Sequence, residues 1–381
     1  MIYLDYNGST PVDPRVAEQV EVVSPSYANP SSTQHYLGRA AAELIEEARH
    51  RVATFVSSRP RDVIFTSGAS EAATLGVVGA MLGTPERPNA VVGATEHKAV
   101  LAATELGARL TGGRVRIARV LPSGELDLDH VESLVDETVS VVAAMGANNE
   151  TGVKHPLGAV AEIASRSGAA FFVDATQLAG KAPLDEAAGV ADLLVMSSHK
   201  IYGPKGAGAL LADRHMQGRL VPLFPGGGQE RGLRGGTQNT SAIVGFGFAA
   251  ELAASEYVAD SARLESLSST LLAGLEAALP GAVTVNGTSA DRLSNTLNVR
   301  FVGADADAIM ASMPDVAVSS GSACQSAVPT QSHVLLSMGL SSEEASESLR
   351  ISLGRPTTAA EVDRASQRIV ESVIRVRELS A

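Results

Sequence analysis

The chain of 381 residues carries a formal net charge of −12, is 45% hydrophobic and 19% charged, and contains a single cysteine, Cys324. That acidic balance argues against non-specific binding to nucleic acid or to anionic membranes, and one thiol can build neither an intramolecular disulfide nor a thiolate metal cluster. No apolar run approaches the ~20 residues of a membrane helix, and the opening MIYLDYNGSTPVDP lacks the basic and apolar segments of a secretory signal, so the sequence predicts a soluble protein in a reducing, cytoplasmic setting.

In chain order, residues 39–56 set Ala41, Leu44, Ile45, Ala48, Val52, Phe55 and Val56 at helical spacing. Short apolar runs suited to buried strands stand at 62–66 (DVIFT), 90–94 (AVVGA), 115–120 (VRIARV), 139–145 (VSVVAAM), 169–174 (AAFFVD), 192–196 (DLLVM) and 207–212 (AGALLA). Between them, segment 156–168 opens on Pro156 and closes on Gly168, the asymmetry expected of a helix. This alternation predicts an α/β fold: a large domain with a mainly parallel seven-stranded sheet flanked by helices. Beyond about residue 240 the pattern predicts two helices, 241–256 and 261–279, ending at Pro280-Gly281. Strands near 283–285, 294–301 and 348–353 follow, then a last helix over 359–377. These read as a smaller α+β domain made of residues 1–15 and 256–381, set against a large domain of residues 16–255.

Ligands of open α/β sheets collect beyond the carboxyl ends of the strands, so the polar residues just after each run are the candidates for chemistry. SGASEAATLG (67–76) is a small-residue turn entering a helix, which presents backbone N–H groups to an anion, although such turns are as often purely structural. TEHKAV places His97 in the same layer, GANNETG adds Asn148 and Asn149, and Asp174 and Gln177 follow AAFFV. Taken singly, the histidine reads as a structural residue and the paired amides as turn formers. An acid ending an apolar strand is costly unless it meets a cation or several donors. DLLVM then delivers Ser197, His199 and Lys200 in SSHKIYGPKGAGAL. That stretch lacks the spacing and the hydroxyl of a mononucleotide-binding loop. A phosphate seat, an acid, a flat histidine and a lysine able to form a Schiff base together fit pyridoxal 5′-phosphate. Cys324 sits in SSGSACQSAVPTQS, a polar stretch that reads as a surface loop rather than as core.

From LDYNGSTPVDP to SLGRPTTAAEVD the chain resembles the cysteine desulfurases, pyridoxal-phosphate enzymes of the class V aminotransferase group with fold type I architecture. The resemblance is carried by ANPSSTQHYLGR (28–39), FTSGASEA (65–72), TEHKAVL (95–101), NNETGV (148–153), VDATQ (173–177), SSHKIYGPKGAGAL (197–210), GGGQERGLRGGTQN (226–239), SSGSAC (319–324) and RISLGR (350–355). It implies that Lys200 holds the cofactor covalently, that Asp174 pairs with the pyridine nitrogen, and that Gln177 reaches the phenolic oxygen. His97 would stack on the ring and shuttle protons. Ala69, Ser70, Ser197 and His199 would bind the phosphate, helped by Thr237 from a partner subunit. Arg350 would clamp the substrate carboxylate with Asn149 and Asn29 nearby. No metal is implied.

The implied reaction takes sulfur from L-cysteine, with Lys200 as general base and Cys324 as the thiolate that becomes a persulfide, leaving L-alanine. The implied partners are a second copy in a homodimer and a sulfur-acceptor or scaffold protein, in iron–sulfur assembly, tRNA or cofactor thiolation, or DNA phosphorothioation. A selenocysteine lyase, or another pyridoxal-phosphate lyase or aminotransferase on the same fold, stays open as the alternative. Two departures from the family pattern stand out: Ser70 replaces a common threonine in SGASE, and AVPTQS follows the cysteine where SLEPS is usual.

Overall fold

The computed structural model describes residues 1–320 and 331–380. Cys324 lies outside the described residues.

In chain order the strands are β1 (Ile2–Tyr3), β2 (Val63–Thr66), β3 (Asn89–Gly93), β4 (Val115–Ala118), β5 (Val139–Met145), β6 (Ala170–Asp174), β7 (Leu193–Ser197), β8 (Gly208–Ala212), β9 (Val283–Val285), β10 (Thr296–Phe301), β11 (Val316–Ala317) and β12 (Ser348–Ser352). Seven of them form one sheet in the order β2-β8-β7-β6-β5-β3-β4. Only β8 runs against its neighbours. All seven apolar runs of the sequence are therefore strands of this sheet.

The two-residue alternation of side chains divides the core into two layers. Ile64, Val92, Val141, Phe172 and Val195 meet the helices Ala69–Gly83 and Lys98–Thr111 on one face. Phe65, Val91, Val142, Phe171, Val173 and Met196 meet Tyr36–Phe55, Leu157–Ser167 and the start of Thr240–Ala278 on the other. The helix ends follow their local chemistry. Asp127 caps Leu128–Leu134 by accepting from His130 N, and Gly168 closes Leu157–Ser167 in the left-handed region at φ 73°.

The two helices expected over 241–279 are one helix of 39 residues, Thr240–Ala278. Nothing between Glu256 and Ala262 is a glycine or proline, so the ladder has no reason to break. Its first half packs in the sheet's core through Ala242, Phe246 and Ala250. Its second half enters a separate core of Leu264, Leu271 and Leu275 with Ile2, Leu4, Val299, Phe301, Ile351 and Val373. By length and composition alone this helix could cross a membrane, contrary to the sequence reading, but 50% of its most apolar window is buried inside the protein. The second core is roofed by the antiparallel sheet β12-β10-β9 and by the parallel pair β1-β11. Bridges from Asp5 to Ser352 and from Ser319 to Arg350 tie the two together. The chain just after β1 thus runs beside β12 at Leu4 and Asp5, and the next residues, Tyr6 to Thr10, pass over the carboxyl end of the large sheet.

Candidate active site

A cavity of about 530 Å³ opens where β5, β6 and β7 end and where Tyr6–Thr10 and β12 cross above them. Its wall includes ten of the residues singled out from sequence: Ala69, Ser70, His97, Asn149, Asp174, Gln177, Ser197, His199, Lys200 and Arg350. Thr237 and Asn29 are not in that wall, and both are exposed. Asn29 instead accepts from Ser31 N through its side-chain Oδ1 at 2.9 Å.

The anion seat is built by packing. The helix Ala69–Gly83 starts at Gly68 with no capping side chain, so the N–H groups of its first turn are left for another acceptor. Gly208 makes this arrangement possible, since a Cβ there would lie 2.6 Å from Gly68 Cα. Two of the glycines in GPKGAG serve close packing and chain reversal: Gly208 lets the helix start rest on the sheet, and Gly206 turns at φ +84° at the cavity rim. Lys205, exposed beside Gly206, adds a cation to this end of the cavity. Glu71, also in the cavity wall, is engaged by the protein, accepting from Ser67 N at 2.8 Å and from Arg234 Nε at 2.8 Å. Arg234 and its neighbours hold the carboxyl below its ordinary range despite the opposing effect of burial.

Asp174 ends β6 in register with Met145 and Val195, and its Oδ1 accepts from Thr176 N at 2.9 Å. It is only 8% exposed, which leaves a carboxylate facing the cavity with few protein donors. His97 caps the helix Lys98–Thr111 by accepting from Ala99 N through Nδ1 at 3.1 Å. The neutral ring therefore carries its proton on Nε2. Burial lowers its pKa, helped by Lys200 and Lys98 and opposed by Asp174. His199 is likewise pushed down to about 4, by burial and by Lys200, Lys205 and Lys181, and its Nδ1 lies 3.1 Å from Ser9 Oγ.

Lys200 ends a single helical turn, Ser198–Lys200, just beyond β7, and its Nζ donates to Asn7 O at 2.6 Å and to Gly8 O at 2.7 Å. Sequence reasoning passed over Asn7, which is 1% exposed and satisfied on every side. Its N–H donates to Ser352 Oγ at 3.0 Å, and its Nδ2 donates to Thr296 Oγ1 at 2.8 Å and Asn149 O at 3.2 Å. Its carbonyl also accepts from Gln177 Nε2 at 3.1 Å, and its Oδ1 accepts from Lys181 Nζ at 2.9 Å. The signal available was slight: an asparagine and a glycine in a polar N-terminal stretch, 142 to 345 residues from the partners named.

The paired asparagines divide their work. Asn148 is a turn former whose Oδ1 accepts from Glu150 N and Thr151 N at 2.8 and 3.0 Å, while Asn149 lines the cavity. Arg350, on β12, has a side chain 3% exposed, paired with Asp5 at 2.6 Å and donating to Asn149 O at 3.2 Å. Its Nε has no partner among the described residues. A buried guanidinium with a free donor at the mouth of a cavity is suited to a carboxylate.

Comparison with known proteins gives the same picture. Residues 2–365 match the Aminotransferase class-V family model. A protein of Frankia sp. (strain EuIK1) named cysteine desulfurase is 46% identical over 393 residues, covering 100% of this chain and 93% of that protein. Among solved structures, a NifS-like protein superposes with a TM-score of 0.89 at 33% identity, covering 97% of this chain and 98% of that one. SspA in complex with cysteine superposes with a TM-score of 0.81, also at 33% identity, covering 93% and 99%.

Proposed function

The chain belongs to the Aminotransferase class-V family, and on that premise we propose that it is a pyridoxal-phosphate-dependent cysteine desulfurase that transfers sulfur from L-cysteine to Cys324. The observation that carries the reading is the meeting of Lys200, Asp174, His97, the uncapped start of the helix Ala69–Gly83 and Arg350 around one cavity. This donor set fits the cofactor: an amine for its aldehyde, a poorly solvated acid for its pyridine nitrogen, and helix N–H groups with Ser70, Ser197 and His199 for its phosphate. When bound, pyridoxal phosphate supplies a ring that draws electron density from the substrate's α-carbon.

The remaining work falls to the chain itself. Arg350 and Asn149 hold the substrate carboxylate. Lys200, whose Nζ rests on the carbonyls of Asn7 and Gly8, would hold the cofactor's aldehyde and would take the substrate's α-proton. His97, neutral with its proton on Nε2 and lining the cavity, would stack on the cofactor ring and relay protons. Cys324 attacks as thiolate: a bond forms between its Sγ and the substrate sulfur as the substrate's sulfur–Cβ bond breaks, and the carbon fragment, reprotonated, leaves as L-alanine. The persulfide then passes to an acceptor protein.

In this reading residues 16–255 form the cofactor-binding unit and residues 1–15 with 256–381 the smaller one. Thr237, exposed in a single chain, completes the phosphate seat of a second copy in a two-fold homodimer. A chain with one cysteine and this chemistry suits a reducing cytoplasm.

The test is incubation of the purified protein and of Cys324→Ala with L-cysteine and pyridoxal phosphate. The unmodified protein should yield alanine and a persulfide on Cys324, seen by mass spectrometry. Cys324→Ala should keep the visible absorption of the cofactor and lose alanine formation. Unchanged turnover by Cys324→Ala, or no visible band in the unmodified protein, would overturn the proposal.

A further inference from the structure

Lys181 is a second lysine in the floor beneath Lys200. Gly180, at φ +69°, turns the chain after Gln177, and a Cβ there would press on Ile201 at 3.1 Å and Ala253 at 3.3 Å. The turn returns Lys181 toward the site, where Ser261 Oγ on the long helix donates to its carbonyl at 2.7 Å. Among the described residues no carboxylate forms an ion pair with its ammonium. Instead Nζ donates to two amide oxygens, Gln177 Oε1 and Asn7 Oδ1, the latter at 2.9 Å. Burial, with Lys200 and Arg350 close by, pushes this lysine well below its ordinary pKa. A small gap beside it is bounded by Tyr6, Thr10, Lys200, Tyr202, Asp260 and Asn295. The titratable and charged groups facing Lys181 are therefore Tyr6, Lys200, Tyr202, Asp260 and Arg350.

An amide side chain can be turned end for end at little steric cost, and only its hydrogen bonds decide which end is the donor. Lys181 bears on two of them, donating to Gln177 Oε1 and sharing Asn7 Oδ1 with Asn295 Nδ2, which donates to it at 3.2 Å. With Gln177 Oε1 on Lys181, Gln177 Nε2 must face Asn7 O and the cavity. With Asn7 Oδ1 on Lys181, Asn7 Nδ2 faces Asn149 O and Thr296, and the side chain anchors the backbone whose carbonyl accepts from Lys200. We propose that Lys181 is a positioning residue that fixes the orientation of the Gln177 and Asn7 amides, and through them the donor offered to the cofactor ring and the resting place of Lys200. The inference rests on the reading of the cavity as a pyridoxal-phosphate site.

The test uses the full-length protein loaded with pyridoxal phosphate. Lys181→Met keeps the shape of the stem and removes the donor. Its affinity for pyridoxal phosphate should fall about tenfold, the order of one lost hydrogen bond. The pH midpoint of the visible band should move by at least about half a unit, while the melting temperature of the cofactor-free protein stays near that of the unmodified protein. In a Gln177→Ala background the same substitution should change affinity by clearly less than in the unmodified protein, because only the action through Asn7 remains. If Lys181→Met does not fold, Lys181→Gln, too short to reach both oxygens, replaces it with the same expectations.

An unchanged midpoint and affinity in the single variant overturns the inference, as does an undiminished effect in the Gln177→Ala background. An unmodified protein that takes up no pyridoxal phosphate, and shows no adduct at Lys200 after borohydride reduction, overturns the underlying site reading instead. The two failures are thereby distinct.

Discussion

Arg350 Nη2 donates to Asp5 Oδ1 at 2.6 Å, so the guanidinium in the cavity wall is held by the N-terminal strand before any substrate arrives. The pairing spans 345 residues of sequence and, with the bond to Asn149 O, aligns the buried side chain. With one Nη2 hydrogen on Asp5 and one Nη1 hydrogen on Asn149 O, the unpartnered Nε and the second hydrogens of Nη1 and Nη2 are the donors left for an incoming carboxylate. Arg350→Leu should raise KM for L-cysteine by about 100-fold, or about 2.7 kcal/mol, the scale of a charge-assisted hydrogen bond. Asp5, 24% exposed at its side chain, can be rehydrated, so the variant should still fold. Steady-state kinetics on the purified variant check this, and an unchanged KM would move the carboxylate clamp elsewhere.

Gly208→Ala tests the anion seat without touching any group that binds an anion. The added methyl would fall 2.6 Å from Gly68 Cα and 2.8 Å from Met196 O, both backbone atoms that cannot rotate away. The start of the helix Ala69–Gly83 must lift from the sheet, and its N–H groups leave their alignment with Ser197. Affinity for pyridoxal phosphate should drop by at least about tenfold, whereas affinity for the phosphate-free aldehyde, pyridoxal, should change far less. Fluorescence titration with the two compounds separates these outcomes. Equal losses for both would mean that the substitution distorts the whole cavity.

Much of this site was legible because its parts obey local rules. A buried strand followed by a polar residue places that residue at the sheet's carboxyl end, and so His97, Asn149, Asp174, Ser197 and Lys200 were found one strand at a time. Asn7 and Lys181 obey no such rule. Their roles depend on where Tyr6–Thr10 crosses the sheet, a matter of packing between segments 174 residues apart. The long helix reads as two because the stretch Glu256 to Ala262, none of it buried, breaks the apolar pattern when its neighbours are assumed to share one core. In the structure its two halves serve two different cores, and that stretch bridges them.

Glu150 should make the protein lose stability as the solution turns alkaline. Its carboxyl is 4% exposed and accepts from Ser332 Oγ, and burial raises its pKa to about 7 from the ordinary 4.5. Between those values the folded chain keeps a proton that the unfolded chain has released, so stability falls as pH rises from 4.5 to 7 and stays reduced above it. Glu150→Gln keeps an acceptor for Ser332 and has no charge to bury. Its melting temperature should exceed that of the unmodified protein by a few degrees at pH 8 and match it at pH 5. Thermal melts at the two pH values decide the matter, and an equal difference at both would show that Glu150 is ionised throughout.

His155 acts in the opposite direction. It is 6% exposed, its Nδ1 accepts from Leu126 N at 3.2 Å, and its Nε2 lies 3.4 Å from Thr95 Oγ1. Burial alone pushes it down to about 4 from 6.5. The unfolded chain therefore takes up a proton near pH 6.5 that the folded chain refuses until about pH 4, and stability is lost as pH falls between the two. From pH 7 to pH 5 the loss through this one group is about 2 kcal/mol. His155→Asn preserves an acceptor for Leu126 N but cannot titrate. It should be less stable than the unmodified protein at pH 7, because the smaller side chain leaves a void, yet its stability should decline less on acidification to pH 5. Denaturant titrations at both pH values measure the two slopes. Parallel decline in the two proteins would mean that His155 is protonated in the folded state and that another group governs acid sensitivity.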